Sequence, residues 1–219
     1  MADMHDTTEE YLEQIFDLEE EGTVPLRARL VERLGLSAAA VSETVGRLEM
    51  HGFVQLRDDR SIKLTEKGRK LATSVVRRHR LAERLLLDVI GLEWEKVHRE
   101  ADRWEHAISA DVEEKLVELL GDPLTCPHGN PIPGSKRAGT VTPSVALADA
   151  APGHVTVARI SEKLELSDEG LRMVARARLI PGATAEVMGT VPDGVQVRTT
   201  AGEHTVPDEI AAQLYVSAA

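Results

Sequence analysis

Three glycines, at positions 22, 35 and 52, divide the first part of the chain into short segments that can only be brief helices. Glycine tolerates the left-handed conformation that closes a helix, so each marks a stop. From Thr7 to Glu21 the residues Tyr11, Leu12, Ile15, Phe16 and Leu18 recur at helical spacing, with Thr7 or Thr8 expected as N-cap. Leu26 to Leu34 forms a second short helix. Ser37 is placed to cap a third, which carries Val41, Val45 and Leu48 on one face. The segments Phe53–Arg57 and Ser61–Leu64 then alternate apolar and polar residues around Asp58-Asp59, which predicts a β-hairpin. Helix, turn, helix and hairpin in this order make a winged helix-turn-helix.

Thr65 is expected to cap a long helix that carries Leu71, Val75, Leu81, Leu85 and Leu86 and runs to Ile90, where Gly91 breaks it. Trp94–Ser109 and Asp111–Leu120 read as two further helices. Six of the ten prolines fall between Gly121 and Pro152, which predicts irregular chain. Beyond it, Val155–Ile160, Ala185–Met188 and Val195–Arg198 read as strands, and Leu164–Ala177 as partly helical. With turns at Pro181-Gly182 and Asp193-Gly194, this points to a small β-barrel of about 65 residues. The fold class is mainly α with small β parts.

Composition narrows the function. A single cysteine, Cys126, excludes a disulfide framework and a Cys-rich zinc site. No apolar run suits a membrane span, and Met1–Asp6 lacks the order of a signal peptide, so the expectation is a soluble cytoplasmic protein. The net charge of −11 is unevenly spread. Residues 1–22 hold nine acids and no Lys or Arg, whereas residues 23–80 hold thirteen bases against six acids. A basic block that includes the winged helix suits phosphate contact despite the acidic whole.

His98, Asp102, Glu105 and His106 fall within an arc of roughly 100° on one face of a helix, opposite Val97, Ala101, Trp104 and Ile108. His79 and Glu83 form an i, i+4 pair on the long helix, and Glu10 and Glu13 an i, i+3 pair on the first. Any one such pair taken alone is better read as a solvated face. Three together, beside a winged helix, point to a divalent cation, because clustered carboxylates need neutralising. Cys126 reads as an incidental buried thiol. His5, His51, His128, His154 and His204 have no partner at ligand spacing.

Thr7-Thr8-Glu9, Leu26-Arg27-Ala28-Arg29, His79–Leu86, Trp104-Glu105-His106 and Gly129–Gly134 together resemble the diphtheria toxin repressor family. The resemblance implies a dimeric repressor activated by divalent metal. Its parts would be a winged-helix DNA-binding domain (residues 1–73), a helical metal-binding and dimerisation domain (74–140), a linker (141–151) and an SH3-like β-barrel (152–219). It further implies a primary metal site of Glu10, Asp102, Glu105 and His106. A second site would take His79, Glu83 and His98, or His79 with Glu13. The family's iron-responsive branch carries Met and Cys at the places of Glu10 and Asp102, and Glu10–Ile15 is similar to the manganese-responsive branch. Hard oxygen donors suit Mn(II) where sulfur helps hold softer ions. The expected co-repressor is therefore Mn(II), with Fe(II) as the alternative. In the iron branch the third domain adds a Glu and a Gln to the metal site. Their places here fall on Ser167 and Gly170, with Glu165, Asp168 or Glu169 as substitutes.

The expected partner is double-stranded operator DNA, bound by a homodimer that controls metal-uptake genes. Ser37, Ala38, Ala39, Ser42 and Glu43 would face the major groove, where small residues meet thymine methyls and Glu43 accepts from a cytosine amino group. Arg27, Arg29, Arg47, Arg57, Arg60 and Lys63 are the expected phosphate contacts. Metal would act through its differential affinity for the DNA-competent state, fixing the spacing of the two recognition helices. A metal-dependent hydrolase is the rival class, weakened by the lack of a separate general base or oxyanion donor. A metal-independent winged-helix regulator is the third.

Overall fold

The computed structural model describes residues 2–136 and 143–218. The boundary expected at 140/141 lies outside the described residues. The chain forms two compact units, Met1–Arg78 with Glu105–Ile108 and His79–Trp104 with Ser109–Ala219.

The first unit begins with helix α1 (Ala2–Glu20), followed by α2 (Arg27–Leu34), α3 (Ala38–Met50) and the hairpin β1 (Val54–Leu56) and β2 (Ile62–Leu64). Helix α1 starts before Thr7, so neither Thr7 nor Thr8 is its N-cap. Ser37 does cap α3, its hydroxyl accepting from the Ala40 N–H at 3.2 Å. Gly35 ends α2 in the left-handed conformation. The strands pair antiparallel, Val54 opposite Leu64 and Leu56 opposite Ile62. Tyr11, Leu12, Ile15 and Leu18 of α1 join Leu30, Val41, Val45, Leu48, Val54, Ile62 and Leu64 in one core. Every apolar position read from the helical spacing thus packs, Phe16 as a half-buried residue against the core. The winged helix-turn-helix is present as expected.

Helix α4 spans Glu66–Arg84 and continues as a π-helical turn over Leu85–Ile90, which Gly91 closes at φ +80°. The expected uniform helix therefore changes pitch two residues after Glu83. A 3₁₀ turn (Trp94–Lys96) leads into α5 (Val97–Trp104), and α6 spans Ala110–Leu120. Helix α5 is shorter than expected, and Glu105 and His106 lie in the turn beyond it.

The C-terminal part holds β3 (Val145–Ala146), β4 (Gly153–Ile160), α7 (Glu162–Glu165), α8 (Asp168–Arg176), β5 (Thr184–Val191), β6 (Gly194–Thr199), β7 (Gly202–Pro207), α9 (Asp208–Ala211) and β8 (Leu214–Ala218). The six strands form one antiparallel sheet in the order β3-β8-β4-β5-β6-β7. Among the described residues β3 and β7 do not pair with one another, so the sheet is open where a closed barrel was expected. A second core, including Val157, Ile160, Leu164, Leu171, Val174, Val187, Val197 and Leu214, joins the sheet to α7 and α8.

Candidate metal centre and nucleic-acid surface

The second unit gathers seven ligand-type side chains around Glu83, which is fully buried on the last turn of α4. His79 Nε2 and His98 Nδ1 lie 3.0 Å apart, and each is 3.5 Å from Glu83 Oε1. His128 Nδ1 lies 2.9 Å from the same oxygen and 2.8 Å from Glu165 Oε2. Glu165 Oε2 is 3.3 Å from His98 Nδ1, and Glu162 Oε1 is 3.4 Å from His98 Nε2. Asp102 Oδ1 approaches His79 Nδ1 at 3.4 Å and His98 Nε2 at 3.8 Å. Donor atoms of Glu83, Cys126 and His128 fall within 4.8 Å of one another, as do those of His79, Glu83 and His98, and of His98, Glu162 and Glu165.

The loop carrying Cys126 and His128 is locked in place. The Cys126 and Gly129 N–H groups donate to the Asn130 and Cys126 carbonyls. Arg84 donates to the carbonyls of Thr125 and Cys126, and Trp94 Nε1 to that of Pro127. The Ile160 N–H donates to the His128 carbonyl, and Asn130 Nδ2 donates to Glu165 Oε1 at 2.6 Å. Gly129, at φ +88°, sits so close to β4 that a Cβ would lie 2.2 Å from the Ala158 carbonyl oxygen. No other residue fits there.

Burial disfavours charge on Glu83, Glu165, His98 and His128, yet these four hold one another ionised. Burial alone would raise the Glu83 carboxyl, but His128, His79 and His98 hold it well below the usual carboxylate range. The Glu165 carboxyl is likewise lowered against its burial, chiefly by His128. Burial works against charge on His98 and His128, yet Glu162, Glu165 and Glu83 keep His98 well above its ordinary value, and Glu165 and Glu83 do so for His128. The Cys126 thiol is pushed up to about 12 by burial and by Glu83. Glu83 Oε2, His98 Nε2 and His128 Nε2 are buried without a hydrogen-bond partner. Unpartnered polar atoms among carboxylates and imidazoles fit a divalent cation, which would displace the protons that now hold the cluster together.

Several sequence expectations change here. His79, Glu83 and His98 do come together. Ser167 instead caps α8, accepting from the Gly170 N–H, and Gly170 packs against Leu164. The acids that reach His98 from the C-terminal part are Glu162 and Glu165, three apart on α7. Asp168 pairs instead with Arg99 and Arg172. Cys126 is the buried thiol expected, and it lies within 4.8 Å of Glu83 and His128, while His128 has partners after all. Their relation to Glu83 is made by a loop folding back, which helical spacing does not register. The i, i+3 acids following Ser161 were the available signal for Glu162.

In the first unit His106 is met by Glu9, whose Oε2 lies 2.8 Å from His106 Nδ1 and whose Oε1 accepts from Arg78 at 3.1 Å. Glu105 Oε1 is 3.4 Å from His106 Nε2. Carboxylate oxygens of Glu13 and Glu105 lie within 4.8 Å of one another, and both residues are buried. Glu10 is exposed. Because α5 ends at Trp104, Glu105 and His106 do not share its face with His98 and Asp102, and buried His98 belongs to the packed side as much as Val97 and Ala101 do.

The expected DNA-contacting residues all lie in the first unit. Ser37, Ala38, Ala39, Ser42 and Glu43 are exposed along the start of α3. Arg47 is exposed one turn beyond Glu43, with its guanidinium 3.9 Å from that carboxylate and donating to Thr44 Oγ1. Arg57, Arg60 and Lys63 are exposed on the wing, Arg60 in the left-handed conformation (φ +67°) at the tip. Asp59 accepts from both the N–H and the hydroxyl of Ser61, which fixes that tip. Arg27 and Arg29 are half-buried at the start of α2, and Arg29 donates to the Val24 carbonyl.

A winged helix with an exposed recognition helix and basic wing, in a chain with a buried His/Glu/Cys cluster, defines a metal-responsive DNA-binding regulator. Residues 3–62 match the N-terminal DNA-binding domain of iron-dependent repressors, and residues 65–134 their metal-binding and dimerisation domain. The chain belongs to this family, the diphtheria toxin repressor family, whose members are transcriptional repressors and not enzymes. It is 46% identical over 223 residues to the iron-dependent repressor IdeR of Mycobacterium tuberculosis, covering 96% of each chain. It is 45% identical over 196 residues to the diphtheria toxin repressor of Corynebacterium diphtheriae, covering 86% of this chain and 87% of the other. Among solved structures, it superposes on a manganese-dependent transcriptional repressor in complex with manganese at TM-score 0.84, with 30% identity, over 97% of this chain and all of the other. No described helix is long and apolar enough to cross a membrane.

Proposed function

We propose that this protein is a Mn(II)-activated, homodimeric repressor that binds operator DNA in the cytoplasm and controls metal-uptake genes. The observation that carries the metal preference is the pair of carboxylates, Glu10 and Asp102, standing where the iron-responsive branch has Met and Cys. Oxygen donors give Mn(II) the least disadvantage against ions that bind sulfur better. The first unit offers Glu10, Glu13, Glu105 and His106 as ligands. The second offers Asp102 and the cluster of His79, Glu83 and His98, extended by Glu162, Glu165, Cys126 and His128. The exposed apolar residues Val89 and Ile90 on the π-helical turn and Val112 and Leu119 on α6 supply a surface suited to a second copy of the chain. A second reading, activation by Fe(II), is favoured by the relatives at 46% identity named as iron-dependent.

Titration of operator binding with Mn(II) and, under anaerobic conditions, Fe(II) tests the proposal. Half-maximal DNA binding at lower free Mn(II) than free Fe(II) supports the manganese reading, and the reverse order establishes the iron one.

A further inference from the structure

Away from the metal cluster, α8 and β7 line a half-open cavity of about 610 Å³, a size typical of small-molecule sites, with Arg172 and Arg176 exposed at its mouth. Arg172 and Arg176 line it from one face of α8, one turn apart, and His204 and Thr205 line it from β7. Met173 and Ala177 supply an apolar wall, and Glu169 stands in the lining as the one acid. Like charges at i, i+4 on a helix repel, and here nothing neutralises both. Arg176 has no ion pair among the described residues. Arg172 has only the exposed Asp168 at 3.6 Å, a carboxylate that also faces Arg99. His204 Nε2 is shielded from solvent and finds no hydrogen-bond partner. A buried polar nitrogen left without a partner costs free energy that a bound hydrogen-bonding group would recover.

We propose that this cavity is a phosphate-binding site that takes a small phosphomonoester. Two guanidinium forks and an imidazole offer more donors than one carboxylate accepts, and they match the several oxygens of a phosphate dianion. The apolar wall of Met173 and Ala177 suits the organic part of an ester. None of the metal-cluster residues lines the cavity, so binding here is separable from metal binding.

The test is proton NMR of the full-length protein, following the His204 ring resonances, assigned with His204→Asn, during titration with inorganic phosphate, ribose 5-phosphate and ribose. Saturable His204 shifts are expected with both phosphates, with half-saturation at least tenfold lower for the ester, and no shift with ribose. Arg172→Ala and Arg176→Ala should each raise half-saturation about tenfold with the far-UV circular dichroism unchanged. Lys115→Ala, which removes an exposed charge elsewhere in the same unit, should leave it unaltered. The proposal is overturned by the absence of a saturable His204 shift, by an ester that binds no tighter than inorganic phosphate, or by equal weakening in Lys115→Ala.

Discussion

Replacing His128 with Phe removes the positive partner of two buried carboxylates and keeps a ring edge-on to Trp94, whose centroid lies 4.6 Å away. Without metal, Glu83 would then face His79 and His98, and Glu165 would keep His98 and the Asn130 amide. Stripping one partner from a buried ion pair costs about 3–5 kcal/mol. The cheapest relief is to protonate one carboxyl, which for an ordinary pKa of about 4.3 costs about 3.7 kcal/mol at pH 7. The two routes agree on about 3–4 kcal/mol, or a fall in melting temperature of roughly 6–16 °C for a protein of this size. The cost must also depend on pH. Protonating a carboxylate becomes easier as pH falls, while the wild-type contribution of His128, whose folded-state value is raised, is fully present below about pH 6.5 and is lost only as pH rises through that folded value. At pH 5 the difference should therefore shrink to about 1–2 kcal/mol. Urea unfolding of metal-free wild type and His128→Phe at pH 7 and pH 5, followed by circular dichroism, measures it. A cost below 1 kcal/mol at pH 7, or one that does not change with pH, refutes the assignment of His128 as the charge partner of Glu83 and Glu165.

The double substitution Glu10→Met with Asp102→Cys should shift the metal that best activates operator binding from Mn(II) toward Fe(II); an unchanged order removes these positions from selectivity. Arg60→Ala should weaken specific and non-specific DNA about equally and lower the salt slope by about one, whereas Glu43→Ala should relax discrimination at one base step by roughly 1–3 kcal/mol, read by fluorescence anisotropy on operator variants. Uniform losses from both would end that division. Gly129→Ala should destabilise the second unit by roughly 2–4 kcal/mol, combining left-handed strain with a forced retreat from the Ala158 carbonyl, and thermal melts of the metal-free protein measure it.

Local rules were enough for the segment from α2 to β2. Glycine stops, the Ser37 cap and the alternation around Asp58-Asp59 act within a few residues, and the core they form is the one the apolar spacing marks out. His79 and Glu83 were legible for the same reason, since one helix brings them together. The rest depended on contacts distant in sequence. Glu162 and Glu165 reach His98 only because β4 delivers α7 to it, and Cys126 and His128 reach Glu83 only because a proline-rich loop folds back under Arg84 and Trp94. Strand β7, Gly-Glu-His-Thr-Val-Pro, has too few apolar residues to announce itself, and it forms by pairing with β6. The end of α5 at Trp104 has no glycine or proline to mark it.

The cluster's arrangement bears on how metal could act within the second unit. Glu83 Oε1 faces all three imidazoles, while Oε2 is buried without a partner, so the protonated network leaves one oxygen unused at its centre. In that state α4, the 125–130 loop and α7 are held together by imidazolium ions whose protons exchange with solvent as pH rises. A divalent cation would replace the protons with bonds to the same atoms and engage the orphaned oxygen as well. The three segments would then be tied across more than eighty residues of chain, from Glu83 to Glu165. Cross-links that close long loops restrict the unfolded and loosened states most. Metal therefore stabilises this unit to the extent that its bonds exceed those of the protons it expels. How far metal binding shifts the protein toward its DNA-binding state depends instead on how much more tightly that state holds the metal than the other does.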